Sequence, residues 1–231
     1  MVEKEQRGSS LFIKHAEMFD INNEVEVPLQ TNLDKYTKGT GNLGNPTTKI
    51  TLVNKTKLCN YYTVEQFSPT IKESIRFYFN GLQDFSRGFQ RKTKFSVIYR
   101  KFDSKVFICT NIWHTEIFLR RIKELEKSIV LRDAHFNFED FSKIPEIKNI
   151  WGVWEKVNLP HIQTTWSGGN QVEKSIQVKL SRATCVNLKL EDDGNIYALT
   201  VSRDGRISTP QKLNNEKIIE LFDKYFKQYL R

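Results

Sequence analysis

Cysteine is scarce in this sequence: three residues in 231, at Cys59, Cys109 and Cys185, none close to another. An odd, widely spaced trio argues against a disulfide framework and against a cysteine-ligated zinc site. Histidine is equally thin. His15, His114, His135 and His161 stand apart, and neither HxH, HxxxH nor CxxC occurs, so no local metal motif is present. Nucleophilic catalysis also lacks a pattern, because Gly-x-Ser-x-Gly is absent and no cysteine adjoins a histidine. No apolar run approaches the ~18 residues of a membrane span, and no charged-then-apolar leader is recognisable. Together these absences predict a reduced, cytoplasmic protein with no membrane segment and no cofactor.

Acidic residues are also in deficit, and the deficit is local. The chain holds 36 Lys and Arg against 27 Asp and Glu, a net charge of +9. Between positions 87 and 132 there are twelve basic residues against four acidic ones, a surplus of eight. The rest of the chain is therefore almost neutral. Concentrated positive charge favours polyanions, because each Lys or Arg meeting a phosphate releases a condensed counterion. Sixteen Phe, eight Tyr and four Trp offset an apolar fraction of 39%, since each aromatic buries a large area. At this length the chain can bury a sizeable core as one large or two small domains. Frequent Asn, Lys, Ile and Phe suggest an AT-rich coding genome, such as a low-GC bacterium or its mobile elements.

Along the chain, 11–20 fits a strand or a short helix, and 25–29 and 49–53 read as strands. The loop 37–48 contains Gly39-x-Gly41-x-x-Gly44. The dinucleotide fingerprint needs a buried strand before it and a helix after it. Here polar residues precede, Asn45-Pro46 follows, and no Lys-Ser or Lys-Thr completes a phosphate loop, so a surface loop is the expectation. Ser68-Pro69 suits a helix start, with Ile71, Ile75, Phe79 and Leu82 as its buried stripe. A basic connector with two phenylalanines then spans 85–94. A hairpin follows, of strands 95–100 and 105–110 with its turn near Asp103.

Asn111 can cap a helix over 113–129 that buries Phe118, Ile122, Leu125 and Ile129 and turns Arg120, Arg121, Lys123, Glu124, Glu126 and Lys127 to water. A strand is feasible at 129–131, while Trp151 and Trp154 fall in 139–157, an undecided stretch in which Pro145 limits any helix. The segment 159–169 reads as a loop and as the best internal boundary. Strands at 171–180, 184–190 and 196–201 are joined in part by Asp193-Gly194 and Asp204-Gly205, both suited to tight turns. Asn214 or Asn215 then caps a last helix with a stripe of Ile218, Leu221, Phe222, Tyr225 and Tyr229. The expected fold class is α+β: mixed or antiparallel hairpins packed with amphipathic helices, with a C-terminal β-meander closed by a helix. Region 1–158 would carry the basic hairpin and helix of 87–132, and region 170–231 the meander.

Three chemistries compete. Nucleic-acid binding, with single-stranded DNA or RNA favoured, needs cations interleaved with aromatics on which bases stack. Phe85, Phe89 and Tyr99 among Arg87, Arg91, Lys92, Lys94, Arg100 and Lys101 supply both, with Arg120, Arg121 and Lys123 added by the helix. The setting would be a bacterial or phage mobile-element or defence system. The alternative is an inhibitor or adaptor whose basic middle docks on an acidic protein partner. A metal-dependent nuclease would use Asp133 with Glu146-x-Lys148, a loose match to a strand-borne Asp…Glu-x-Lys site. His114, on the first turn of the central helix, is the most suggestive histidine.

Overall fold

The computed structural model of the chain describes residues 8–21, 25–28, 47–67, 71–78, 82–89, 92–125, 128–159, 162–167, 180 and 182–231. In chain order these form β1 (Ser9–Ala16), β2 (Val25–Pro28), β3 (Thr47–Lys55), β4 (Cys59–Phe67), β5 (Ile71–Tyr78), β6 (Leu82–Phe89), β7 (Lys92–Arg100) and β8 (Lys105–Cys109). Helix α1 (Ile112–Leu125) follows, then β9 (Leu131–Asp133), β10 (Ile147–Leu159), β11 (Ile162–Ser167), β12 (Ala183–Asp192), β13 (Asn195–Ser202), β14 (Arg206–Thr209) and helix α2 (Asn215–Leu221). The fold is α+β and is mostly antiparallel sheet.

Among the described residues, twelve strands share one sheet in the order β11-β10-β12-β13-β14-β1-β8-β7-β4-β3-β2, with β9 also pairing β1. The first half of β1 pairs β14 and its second half pairs β8 and β9. Side chains alternate across a strand, and here both sides are covered. Leu11, Ile13 and Phe107 enter one core, while Phe12, Ala16, Val106 and Ile108 enter another on the opposite face. That explains why β1 and β8 (SSLFIKHA and KVFIC) carry near-continuous apolar runs rather than clean alternation.

Each core has its own cover. Phe118 and Ile122 of α1 close the core that holds Phe12, Tyr62, Phe95 and Val97. Phe222 and Phe226, in a π-helical turn after α2, close the other with Phe136, Phe138 and Phe141. Aromatic pairs in this second core lie 5.0–6.5 Å apart, mostly edge to face, a spacing that adds to their area burial.

The turns follow the sequence closely. Asp193 (φ 49°) and Gly194 (φ 78°) link Asp192 to Asn195 in a two-residue hairpin, the left-handed pair that matches strand twist. Gly205 (φ 80°) closes β13 onto β14, and its carbonyl accepts the Ile13 amide at 2.9 Å. Asn214 caps α2, its Oδ1 accepting from the Lys217 amide at 2.7 Å.

Three expectations are corrected. The helix expected after Ser68-Pro69 is instead the hairpin β5–β6, in register from Ile71↔Phe89 to Tyr78↔Leu82. The four-residue spacing of Ile71, Ile75 and Phe79 is even, so it suits a strand's period of two as well as a helix turn. The β-branched and aromatic content of IKESIRFY then favours extended chain. The connector 85–94 is strand on both sides, in β6 and β7. The loop read at 159–169 contains the end of β10 and all of β11, paired from Val153↔Ser167 to Leu159↔Ile162. The expectations for 1–7, for 37–46 with its three glycines, and for 171–179 fall outside the described residues.

Candidate nucleic-acid interface

The hairpin β7–β8 and helix α1 hold most of the described part of the basic stretch, with Arg87 in β6 and Arg132 in β9. Asn111 starts the helix, its Oδ1 accepting the His114 amide at 3.0 Å while its carbonyl accepts from Thr115 Oγ1 at 2.9 Å. His114 is buried, with Nε2 3.1 Å from Thr93 Oγ1 and Nδ1 3.2 Å from the Gln66 side chain. Both ring nitrogens are engaged, so this imidazole fastens α1 to the sheet and has no face for proton transfer. The Phe118 ring meets Phe95 edge to face at 5.9 Å.

Strand parity divides the candidate cations. Thr93 and Phe95 face α1, so Lys92 and Lys94 point from the opposite side of the sheet, where both are exposed. Lys92 Nζ lies 2.8 Å from Glu65, and that hydrogen bond holds the Glu65 carboxyl below its ordinary pKa. Arg120 and Lys123 are exposed on α1, with the sheet between them and Lys94. Among the described residues, then, the fold does not gather the expected patch onto one surface.

Three members are interior. Tyr99 is 7% exposed, donates its hydroxyl to the Glu17 carbonyl at 3.2 Å and stands 6.0 Å from the Phe19 ring; burial pushes its pKa up. Arg121, expected on the water side of α1, is 5% exposed. Arg100 is 6% exposed. Its Nε and Nη2 donate to Asp103 at 2.9 and 2.6 Å and its Nη1 to Asp223 at 2.6 Å. The guanidinium also lies 4.7 Å from the Phe107 ring centroid. It ties the hairpin turn to the π-helical turn after α2, a structural task. Lys101 donates to the Thr56 carbonyl at 2.7 Å. Phe85, Arg87 and Phe89 are alternate residues of β6, at register positions opposite Ile75, Glu73 and Ile71. Arg91 lies outside the described residues.

The nuclease letters do not assemble. Asp133 is bound to Lys14 Nζ at 2.6 Å, and Lys148 to Glu191 at 3.2 Å. Among the described residues no group of three or more His, Cys, Asp or Glu could hold a metal ion, and no helix is long and apolar enough to cross a membrane.

Two features were missed by sequence reasoning. One is Asp192, whose side chain is 0% exposed and accepts from Lys217 (2.7 Å), Lys224 (2.6 Å) and Tyr225 (2.6 Å). Those hydrogen bonds, from Lys217 first, hold its carboxyl far below the usual range and raise both lysines. Only its even spacing from Val186, Leu188 and Leu190 hinted at burial. The other is Trp151 with Trp154 on β10, 40% and 37% exposed. An undecided stretch masked them, although two tryptophans three residues apart are a signal in themselves. Compared with known protein-family models and with curated proteins, the chain matches none.

Proposed function

We propose that this protein binds nucleic acid, with single-stranded DNA or RNA favoured over duplex, in a bacterial or phage mobile-element or defence setting. The observation that supports it is how the fold allots its charges. Asp103, Asp133, Asp192, Asp223 and Glu65 are each engaged by a cation through internal or half-buried ion pairs. The surplus of +9 therefore falls to exposed positions such as Lys94, Arg120, Lys123 and Lys189. In this reading α1 is the amphipathic element, with Phe118 and Ile122 inward and Arg120 and Lys123 outward. The aromatic share of the interface comes from exposed rings and from β6.

Electrostatic binding of this kind is salt-dependent. Four phosphate contacts on a single strand imply a slope of about −3 in log K against log salt. Fluorescence anisotropy with labelled single-stranded DNA, single-stranded RNA and duplex DNA measures it between about 50 and 200 mM salt. The expected result is a slope of that order, with both single strands bound more tightly than duplex. No detectable binding of any probe at the low-salt end overturns the proposal.

A further inference from the structure

The face of the sheet opposite α2 is unusual in its composition. Register alignment sets Gly152, Asn187, Thr200, Ser208 and Ser10 in one row across β10, β12, β13, β14 and β1. These are short side chains, half-buried at Ser10, Thr200 and Ser208 and buried at Gly152 and Asn187, so the row forms a low floor roughly 19 Å across at ~4.8 Å per strand. At one end stand the two exposed tryptophans. The register shifts between Ile150 and Gly152, and Trp151 is the extra residue of that bulge, a device that commonly re-aims a side chain. Trp154 pairs Cys185, which is on the side opposite α2 because Val186, Leu188 and Leu190 fill the core. The register position opposite Trp154 on β11 is Trp166.

Two cations, Lys189 and Arg206, share this face with one carboxylate of β12, Glu191. Lys189 is exposed in the row next to the floor. Arg206 shares the Trp154 row, through Cys185 and Ser202. Ser202 Oγ accepts from Arg206 Nε and Nη2 at 3.3 and 2.9 Å, and the guanidinium lies 5.9 Å from the Phe12 ring. It is thus held in place about three strand spacings, roughly 14 Å, from the tryptophan. The nearest carboxylate along β12, Glu191, is paired with Lys148 at 3.2 Å. Phe12 belongs to the core that α1 covers, so Arg120 and Lys123 stand on this same side of the sheet.

Exposed tryptophans beside a low polar floor, flanked by a fixed guanidinium and a lysine, are the two ingredients of sequence-tolerant single-strand binding: stacking platforms and a cationic track. Folded proteins rarely leave two neighbouring indoles in water without a partner. We infer that this face of β10, β12, β13, β14 and β1 is a binding site for single-stranded nucleic acid, in which Trp151 and Trp154 stack on bases while Arg206 and Lys189 meet phosphates. This inference rests on the nucleic-acid reading above but assigns the work to different residues from those that the basic stretch suggested.

The test uses the full chain and oligo(dT) or oligo(U) of about 12 nucleotides, inside the usual 4–16 nucleotide site range. Binding is read by anisotropy and by quenching of tryptophan emission. Trp151→Ala and Trp154→Ala are each expected to weaken binding about tenfold, and the pair more, with most of the quenching lost. Trp154→Phe, which keeps a stacking ring, should retain most of the affinity. Trp113→Ala, at an exposed indole on α1, should change neither. Arg206→Ala and Lys189→Ala should each lower the salt slope by about one. Wild-type affinity in the double tryptophan variant, with binding weakened instead by Lys94→Glu, overturns this site and leaves the nucleic-acid reading standing. Absence of binding by the wild-type protein at low salt overturns both. Circular dichroism of each variant establishes that it is folded.

Discussion

Replacing Asp192 with asparagine tests whether the C-terminal half is held by a buried charge cluster. The native carboxylate accepts three hydrogen bonds from two ammonium groups and a phenol, at 2.6–2.7 Å. Removing one partner of a buried ion pair costs about 3–5 kcal/mol. Lys217 and Lys224 reach water, at 25% and 45% side-chain exposure, and asparagine still offers Tyr225 an acceptor. We therefore expect a loss at or just below that range, about 2–3 kcal/mol. For a chain of this size that lowers the melting temperature by about 4–12 °C. The pH dependence gives a second readout. A carboxyl whose pKa is depressed on folding contributes stability that is fully present above its unfolded value, near 3.9, and is lost as pH falls toward the folded one. The gap between wild type and Asp192→Asn should therefore be constant from pH 7 to about 5 and shrink by roughly 1 kcal/mol by pH 3. Differential scanning calorimetry across that range measures both. A melting temperature within about 2 °C of wild type at pH 7, or a gap that widens in acid, would refute the reasoning.

Arg100→Ala should lower the denaturation midpoint by the equivalent of about 3 kcal/mol, because it takes the guanidinium from Asp223 and from Asp103, which keeps only Lys105 and Lys227 at 3.4 Å. It should leave the salt slope of oligonucleotide binding unchanged, and a reduced slope in folded protein would return Arg100 to the interface. Gly205→Ala and Gly194→Ala both place a side chain at positive φ, which costs roughly 1–2 kcal/mol. At Gly205 the new Cβ would also meet the Ile13 and Ala134 carbonyls at 2.7 and 2.8 Å, whereas Gly194 has nothing within 4 Å. The first should thus be clearly the more destabilising in urea titrations, and equal losses would contradict the packing described. Cys109 is buried and its thiol is pushed up to about 12, so iodoacetamide at about pH 9 should spare it in native protein and modify it after denaturation. Mass spectrometry of the modified peptides distinguishes the two.

The parts of this fold that were legible in the sequence are those decided within a few residues. Asp193-Gly194 and Asp204-Gly205 lie where the left-handed backbone occurs, and Asn111 and Asn214 each cap the helix that follows them. The parts that were not legible depend on distant partners. Ile71 and Ile75 satisfy helix and strand periods alike, so only pairing with 82–89 decides between them. Arg100 and Arg121 look like surface cations until Asp223, more than a hundred positions later, and the core beneath α1 close over them. The candidate interface met the same limit. A cation's place in the sequence shows its charge but not its side of the sheet, and strand parity sends Lys94 away from Arg120. Trp151 and Trp154 became meaningful only when the bulge at Ile150–Gly152 set them beside a floor built from four other strands.

The position of β1 also bears on how the chain reaches this structure. Ser9 Oγ donates to the Leu213 carbonyl across 204 positions, and β1 cannot complete the sheet before β14 exists. Contacts of such separation must overcome loop-closure entropy before any pairing repays it, which makes folding slow. On the ribosome, Leu11, Phe12 and Ile13 emerge well before β14 (Arg206–Thr209) and wait for its synthesis. During that interval both faces of this strand are open to other chains. The residue order thus makes the nascent chain, more than the finished protein, the species most at risk of aggregation, and holdase binding early in synthesis the condition under which it folds in best yield.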